Sequence, residues 1–393
     1  MKQNTTYKQT ELGLIPEDWE VNRFTDIAEL IHGFQFREEH FAENGRFGVI
    51  KIGNLTYQGN ISLDNLSKSD CEGINNYERL FLRRGDILMA LTGGTLGKMS
   101  IFNLEENRYL QNYRVGKFEP NEKSIKNYIY YLLSSTYVQK RIEDNVNEAA
   151  QPNFGKQDFD KIKIPLPPLS EQKKIADCLS TWDNAIEKQS QLIELHTQRK
   201  KALMQKLLTG KKRLPGFSEE WKEVKLGNIS IKKSSTLQAN SLEENNGEFK
   251  VYGASGIVAN IDFYNESEEY IGIVKDGSGV GNLMLCDAKS SVLGTLDIIK
   301  NNKKSNLFFI YLILSKIHFE KYKVGGAIPH IYYRDYSREK INIPSLSEQT
   351  AIAEILATAD RELQLQKEKL AQLQTQKKGL MQVLLTGKKR LIN

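Results

Sequence analysis

Leu169-Ser-Glu-Gln172 recurs in the chain as Leu346-Ser-Glu-Gln349, and Leu207-Leu-Thr-Gly-Lys-Lys-Arg-Leu214 recurs as Leu384-Leu-Thr-Gly-Lys-Lys-Arg-Leu391. Both pairs keep one offset of 177 residues with no gap between them, and roughly half of the positions across the whole repeated stretch, end motifs included, are identical. A period that long marks a duplicated, domain-sized unit and not a solenoid repeat. Any fold must therefore place two copies of one long segment, which suggests a pseudo-two-fold arrangement within a single chain. Such arrangements suit paired objects, such as two subunits or the two half-sites of a duplex.

The repeated segments have the pattern of long helices. In the first, Ile175, Leu179, Trp182, Ile186, Gln189, Ile193, His196, Lys200, Leu203 and Leu207 alternate steps of four and three. In the second, Ile352, Leu356, Ala359, Leu363, Gln366, Leu370, Leu373, Lys377, Leu380 and Leu384 keep the same register. This is a heptad seam. Ser170 and Ser347 are placed to cap the helix starts, and Gly210 and Gly387 to end them. A helix of ~38 residues spans roughly 57 Å, longer than one small domain needs. The two helices are expected to pair as a coiled coil, and the alternation of segments along the chain favours an antiparallel pair. Gln189 and Gln366, and Lys200 and Lys377, are polar residues at matching seam positions. Such residues cost stability but set register and partner number.

Two globular segments alternate with these helices, which gives an α+β protein divided at 1–168, 169–214, 215–345 and 346–393. Val49–Ile52, Asp86–Leu91 and Tyr270–Val274 read as strands, and 124–144 and Leu307–Tyr322 as helices. The globular segments are distant copies. Trp19 matches Trp221, Leu91–Gly97 matches Lys275–Gly281, and Ala150–Asn153 matches Ala327–His330. They have diverged where the helices have not, which suggests two readers held by one frame.

Composition narrows the class. The chain has 393 residues, 39% of them hydrophobic and 26% charged, enough to build two or three real cores. A net charge of +6 allows a nucleic-acid partner without requiring one. Cys71, Cys178 and Cys286 are scattered and odd in number, which suits a reducing compartment. The N-terminus lacks the apolar core of a signal peptide, and the longest apolar run, Leu307–Leu314, is too short to span a bilayer. The expectation is a cytoplasmic protein with no membrane contact.

Catalytic patterns are missing. Gly93-Gly-Thr-Leu-Gly-Lys98 resembles a phosphate loop only superficially, because Met99 stands where a hydroxyl should bind Mg²⁺. The five histidines have no metal-ligand spacing. What remains are candidate DNA contacts. Thr92, Gly93, Gly94, Thr95 and Lys98 in the first globular segment, and Lys275, Asp276, Gly277 and Ser278 in the second, form glycine-rich turns whose backbone N–H groups can approach phosphates or base edges. Gln151 and Asn153, and His330, Tyr332, Tyr333 and Arg334, form polar tips that follow those turns. Gln and Asn can pair with adenine, and Arg with guanine. For Lys211, Lys212, Arg213, Lys388, Lys389 and Arg390, phosphate contact and compensation of helix-end charge fit equally well.

With these residues in view, a family resemblance emerges. The order of globular segment, Ile164-Pro-Leu-Pro-Pro-Leu-Ser-Glu-Gln172, long helix, Leu-Leu-Thr-Gly-Lys-Lys-Arg-Leu, second globular segment with Trp221 and second helix resembles the specificity subunit of type I restriction–modification systems. The likeness spans essentially the whole chain. One departure is Ile343-Pro-Ser-Leu-Ser-Glu-Gln349, which has one proline fewer. The resemblance implies two target-recognition domains that read double-stranded DNA and an antiparallel helix pair that acts as a ruler between the parts of a bipartite target. It implies a subunit without catalysis of its own, joined to two methylation subunits that bind S-adenosylmethionine and methylate adenine. Restriction/translocase subunits that use ATP and Mg²⁺ are expected as well.

Overall fold

The apolar run at Asp86–Leu91 forms a strand at Ile87–Ala90, and its side chains serve two cores. Ile87 and Met89 enter one cluster with Phe24, Phe118 and Phe159, while Leu88 and Ala90 enter another with Ile50, Leu82 and Phe102. Successive side chains of a strand point to opposite faces, so an unbroken apolar run is what a strand covered on both sides requires. This strand lies inside a four-stranded antiparallel sheet with the order Ala28–His32, Val115–Pro120, Ile87–Ala90, Met99–Ile101. A three-stranded sheet orders Ser67–Ser69, Phe47–Ile50 and Tyr109–Gln111, and Glu20–Arg23 pairs with Lys163–Leu166. The helices of this head are α1 (Lys126–Ser134), α2 (Thr136–Asp144) and α3 (Lys156–Asp160), followed by the long helix α4 (Leu169–Leu207).

The second head repeats the plan. Its four-stranded sheet runs Ser230–Ser234, Leu296–Asn301, Tyr270–Val274, Leu283–Cys286. Its three-stranded sheet runs Gly256–Ile261, Phe249–Gly253, Ser291–Val292, and Lys222–Lys225 pairs with Lys340–Ile343. Within Tyr270–Val274, Ile271 and Ile273 join one cluster while Tyr270 and Val274 join another. Helices α5 (Leu307–Leu314) and α6 (Tyr333–Tyr336) precede the second long helix, α7 (Leu346–Leu384). This computed structural model describes residues 6–144, 154–242 and 247–391.

Three sequence expectations need correction. The helix expected over 124–144 is two helices broken at Ser135. Its hydroxyl donates to the Leu132 carbonyl at 2.6 Å and accepts from the Val138 N–H at 3.3 Å, so the side chain takes over helix hydrogen bonding at the break. The helix expected over Leu307–Tyr322 stops at Leu314, and a 3-10 turn resumes at Phe319 with His318 just before it. Finally, α4 and α7 begin at Leu169 and Leu346, which places Ser170 and Ser347 within the first turns and not at the caps.

By contact, the chain divides into Met1–Lys188 with Leu370–Asn393 as one unit, and Gln189–Lys369 as the other. Both units draw on both long helices, so packing does not follow the linear segments. In each unit, α4 and α7 run antiparallel. Asp183 pairs with Lys377 at 2.5 Å in the first. In the second, Lys200 pairs with Asp360, His196 lies 3.8 Å from Glu362, and Gln189 Nε2 donates to Gln366 Oε1 at 2.8 Å. Gln189 thus meets its own repeat counterpart. Ile175 and Leu179 are buried against the first head, and Ile352 and Leu356 against the second. Leu207 and Leu384 are also buried, whereas Trp182, Ile186, Ile193, Leu203, Leu363, Leu370, Leu373 and Leu380 are half-buried.

The duplicated motifs meet each other in space. Arg390, from the end of the second copy, holds Glu171, from the start of the first, with Nε to Oε1 at 2.8 Å. Trp19 Nε1 donates to the same carboxylate at 2.9 Å. In the other unit Arg213 grips Glu348 through Nε and a second guanidinium nitrogen at 2.8 and 2.7 Å. The neighbouring glutamines are equally matched. Gln172 Oε1 accepts from the Ile125 N–H at 3.0 Å and its Nε2 donates to the Pro167 carbonyl at 3.0 Å. Gln349 makes the same bonds to Asn306 and Pro344. Both residues tie a long helix to the head helix beside it.

Candidate nucleic-acid interface

In the first head, Gly93–Thr95 form a single 3-10 turn between two strands. The Gly97 N–H donates to the Ala90 carbonyl at 2.9 Å, and the Leu96 N–H to that of Gly93 at 3.0 Å. Gly93 and Gly97 have φ of 72° and 80°, conformations that glycine adopts without strain. A Cβ at Gly97 would fall 2.3 Å from Gln139 Oε1, and Gln139 Nε2 donates to the Gly97 carbonyl at 3.0 Å. The turn is therefore buttressed from α2. Gly94 is exposed, with nothing within 4 Å of where a Cβ would stand. Thr92 and Lys98 are half-buried, and Thr95 Oγ1 is buried without a hydrogen bond. Gln151 and Asn153 lie outside the described residues. At Phe154 the N–H donates to the Leu91 carbonyl at 2.9 Å.

The second head makes the same turn. The Gly281 N–H donates to Val274 at 2.8 Å, Val280 to Gly277 at 3.1 Å, and Ile331 to Lys275 at 2.9 Å. These bonds equate Gly93 with Gly277, Gly97 with Gly281 and Phe154 with Ile331, as the sequence comparison of the turns expected. Asp276 Oδ1 lies 2.7 Å from His330 Nδ1, and the Gly277 N–H donates to the Pro329 carbonyl at 2.9 Å. Ser278, Tyr332 and Arg334 are exposed, and the Arg334 guanidinium lies 4.9 Å from the Tyr332 ring centre.

Two residues expected at this surface are committed elsewhere. Tyr333 turns inward, and its hydroxyl donates to the Ser230 carbonyl at 3.0 Å. Lys275 Nζ lies 3.3 Å from Asp297 Oδ1, an oxygen that also lies 3.5 Å from Lys232. Asp297 is buried, and a buried carboxylate needs such cations. Strand register equates Lys232, Lys275 and Asp297 with Leu30, Leu91 and Gly116 of the first head. There the two leucines fill the space, and a Cβ on Gly116 would come within 2.6 Å of Leu30. One head supports its turn with apolar packing, the other with an ion cluster. An aspartate inside the apolar strand Leu296–Asn301 was the available sequence signal for this cluster. The Asp276–His330 contact had no local signal, because the two residues are far apart in the chain.

The type I restriction modification DNA specificity domain matches residues 16–196 and 218–375, covering both copies. A putative type I restriction enzyme MjaX specificity subunit of Methanocaldococcus jannaschii is 29% identical over 98% of this chain and 97% of its own. The type I restriction enzyme MjaVIII specificity subunit of the same organism is 35% identical over 55% of this chain and 51% of its own. The crystal structure of a type I restriction–modification system S subunit from M. genitalium shares the fold, with a TM-score of 0.64 at 18% identity, over 98% of this chain and 97% of that one. No helix among the described residues is long and apolar enough to cross a membrane.

Proposed function

The chain belongs to the type I restriction modification DNA specificity family, and from that premise we propose that it directs partner subunits to a bipartite DNA target, one part for each head. It is a specificity subunit and recognises DNA sequence without catalysing a reaction. The observation that carries the finer reading is the pair of matched turns. Gly93 and Gly277 occupy equivalent turns with the same backbone hydrogen bonds, yet the side chains around them differ. Equivalent scaffolds with different side chains suit two recognition modules of different specificity.

In this reading, backbone N–H groups and lysines position the duplex on its phosphates, and exposed tips read base edges. On the second head those tips are Tyr332 and Arg334, with the half-buried His330 beside them. The antiparallel helices set the spacer between the two parts of the target. Two methylation subunits supply S-adenosylmethionine chemistry at adenine, and restriction/translocase subunits supply ATP- and Mg²⁺-dependent translocation and cutting.

Sequencing the methylated bases of the host genome with and without this gene tests the proposal. A split adenine-methylation motif that disappears with the gene is the expected result. A continuous motif would refute the bipartite reading. Methyl transfer from S-adenosylmethionine to DNA by the purified chain alone would place catalysis within it.

A further inference from the structure

The two three-stranded sheets are equivalent, but their central strands connect differently. In the second head Phe249–Gly253 and Gly256–Ile261 are separated by Ala254 and Ser255 alone. In the first head residues 51–66 separate Phe47–Ile50 from Ser67–Ser69. The first head therefore carries an excursion that the second lacks, and it leads to a tight turn at Thr56–Asn60.

That turn is held firmly. The Thr56 N–H donates to the Asn60 carbonyl at 3.0 Å, and the Ile101 N–H donates to the Gly59 carbonyl at 2.9 Å. Ser100 Oγ donates to Asn60 at 2.9 Å. Gly59 has φ of 85°, and the Tyr130 hydroxyl would lie 2.7 Å from a Cβ placed there. The excursion is thus bound to the strand Met99–Ile101, which leads directly out of the glycine-rich turn. On this rigid support Tyr57 is 80% exposed, the most exposed large apolar side chain among the described residues. Lys98 Nζ lies 4.9 Å from the centre of its ring.

A ring this exposed contributes little to a core. A fixed aromatic face beside an ammonium group matches a nucleotide, since the cation suits a phosphate and the ring suits a base or sugar, whatever the sequence. Apolar side chains also enter between base steps where proteins grip a groove. We propose that Tyr57 and Lys98 form a nucleotide grip carried on the excursion of the first head. Lys98 takes a backbone phosphate, and the Tyr57 ring lies against the adjoining sugar and base of that half-site. This rests on the DNA reading above and adds a contact that the glycine-rich turn alone does not supply.

The test uses the complex purified from its host and a library of randomised DNA duplexes. Wild type is expected to enrich a split motif. His330→Ala should weaken selection in one half and so identify the part read by the second head. Tyr57→Ala should leave the selected bases of both halves unchanged and lower affinity for the enriched duplex about tenfold or more, within the range of losing one base stack. Lys98→Ala should reduce the salt dependence of binding by about one phosphate contact. Thermal unfolding of the Tyr57→Ala complex should match wild type, because the ring is exposed. An unchanged affinity in Tyr57→Ala, or loss of the selected bases in both halves, would overturn the grip. A wild-type complex that enriches no motif would overturn the DNA reading itself.

Discussion

Glu171 shows how much can depend on one carboxylate. It is buried, yet it accepts hydrogen bonds from Trp19 and Arg390, and the Leu391 N–H donates to it at 3.2 Å. Truncating one partner leaves the other charge buried and unpaired. Arg390→Ala is therefore expected to cost about 3–5 kcal/mol in urea unfolding, and Arg213→Ala to destabilise in the same direction through Glu348. A second carboxylate gives a pH signature. Burial pushes the Glu266 carboxyl up, but Lys233 and Lys300 on its two oxygens hold it below its usual value of 4.5. Its contribution to stability is complete above that value and is lost as pH falls through the lower folded value. Replacing both lysines by alanine should lower the unfolding midpoint at pH 7 and flatten its decline below about pH 4.5. Glu171 was legible in the sequence as part of a helix-start motif. Its ligands were not, because Arg390 approaches from the far end of the chain.

At the scale of elements, comparing the two copies of the long helix gives direct tests. Gly379 of α7 stands where α4 has Ala202, and nothing lies within 4 Å of its absent Cβ. Gly379→Ala should stabilise the protein by roughly 0.5–1 kcal/mol in urea titration. Ala359 of α7 stands where α4 has Trp182. Beside it a cleft of about 290 Å³ opens between His196, Lys200 and Leu203 of α4 and Ile355, Ala359 and Glu362 of α7. Ala359→Leu should fill part of this space and raise stability by about 1 kcal/mol, whereas a loss would show that the cleft cannot admit the side chain. The long helices were readable because their heptad steps continue for ten positions. The break at Ser135 and the early stop of α5 at Leu314 were not, because apolar spacing continues through both and only the hydroxyl bonds of Ser135 and Ser315 mark the ends.

At the scale of the whole molecule, each compact unit is a head together with parts of both long helices. If the helix pair sets the spacer of a split target, lengthening both helices together should change it. Inserting seven residues beside Gln189 and seven beside Gln366 adds roughly 10 Å of helix at 1.5 Å per residue. That corresponds to about three base pairs at 3.4 Å each. Methylation sequencing of the host should then report a motif with unchanged ends and a spacer longer by about three base pairs. An unchanged spacer would rule out the ruler.

Read alone, the amino-acid order establishes the duplication, the two long helices and the positions of the glycine-rich turns. Each of these rests on a period, a repeated string or a local backbone demand that adjacent residues carry. Tertiary structure alone decided which side chains beside those turns face outward. Tyr333 and Lys275 looked available, yet one bonds to Ser230 and the other to Asp297. It also decided that Arg390 closes on Glu171 and that Lys98 lies beneath Tyr57. These pairings join residues far apart in the chain, and their energy comes from burial and charge that exist only once the distant segments have packed.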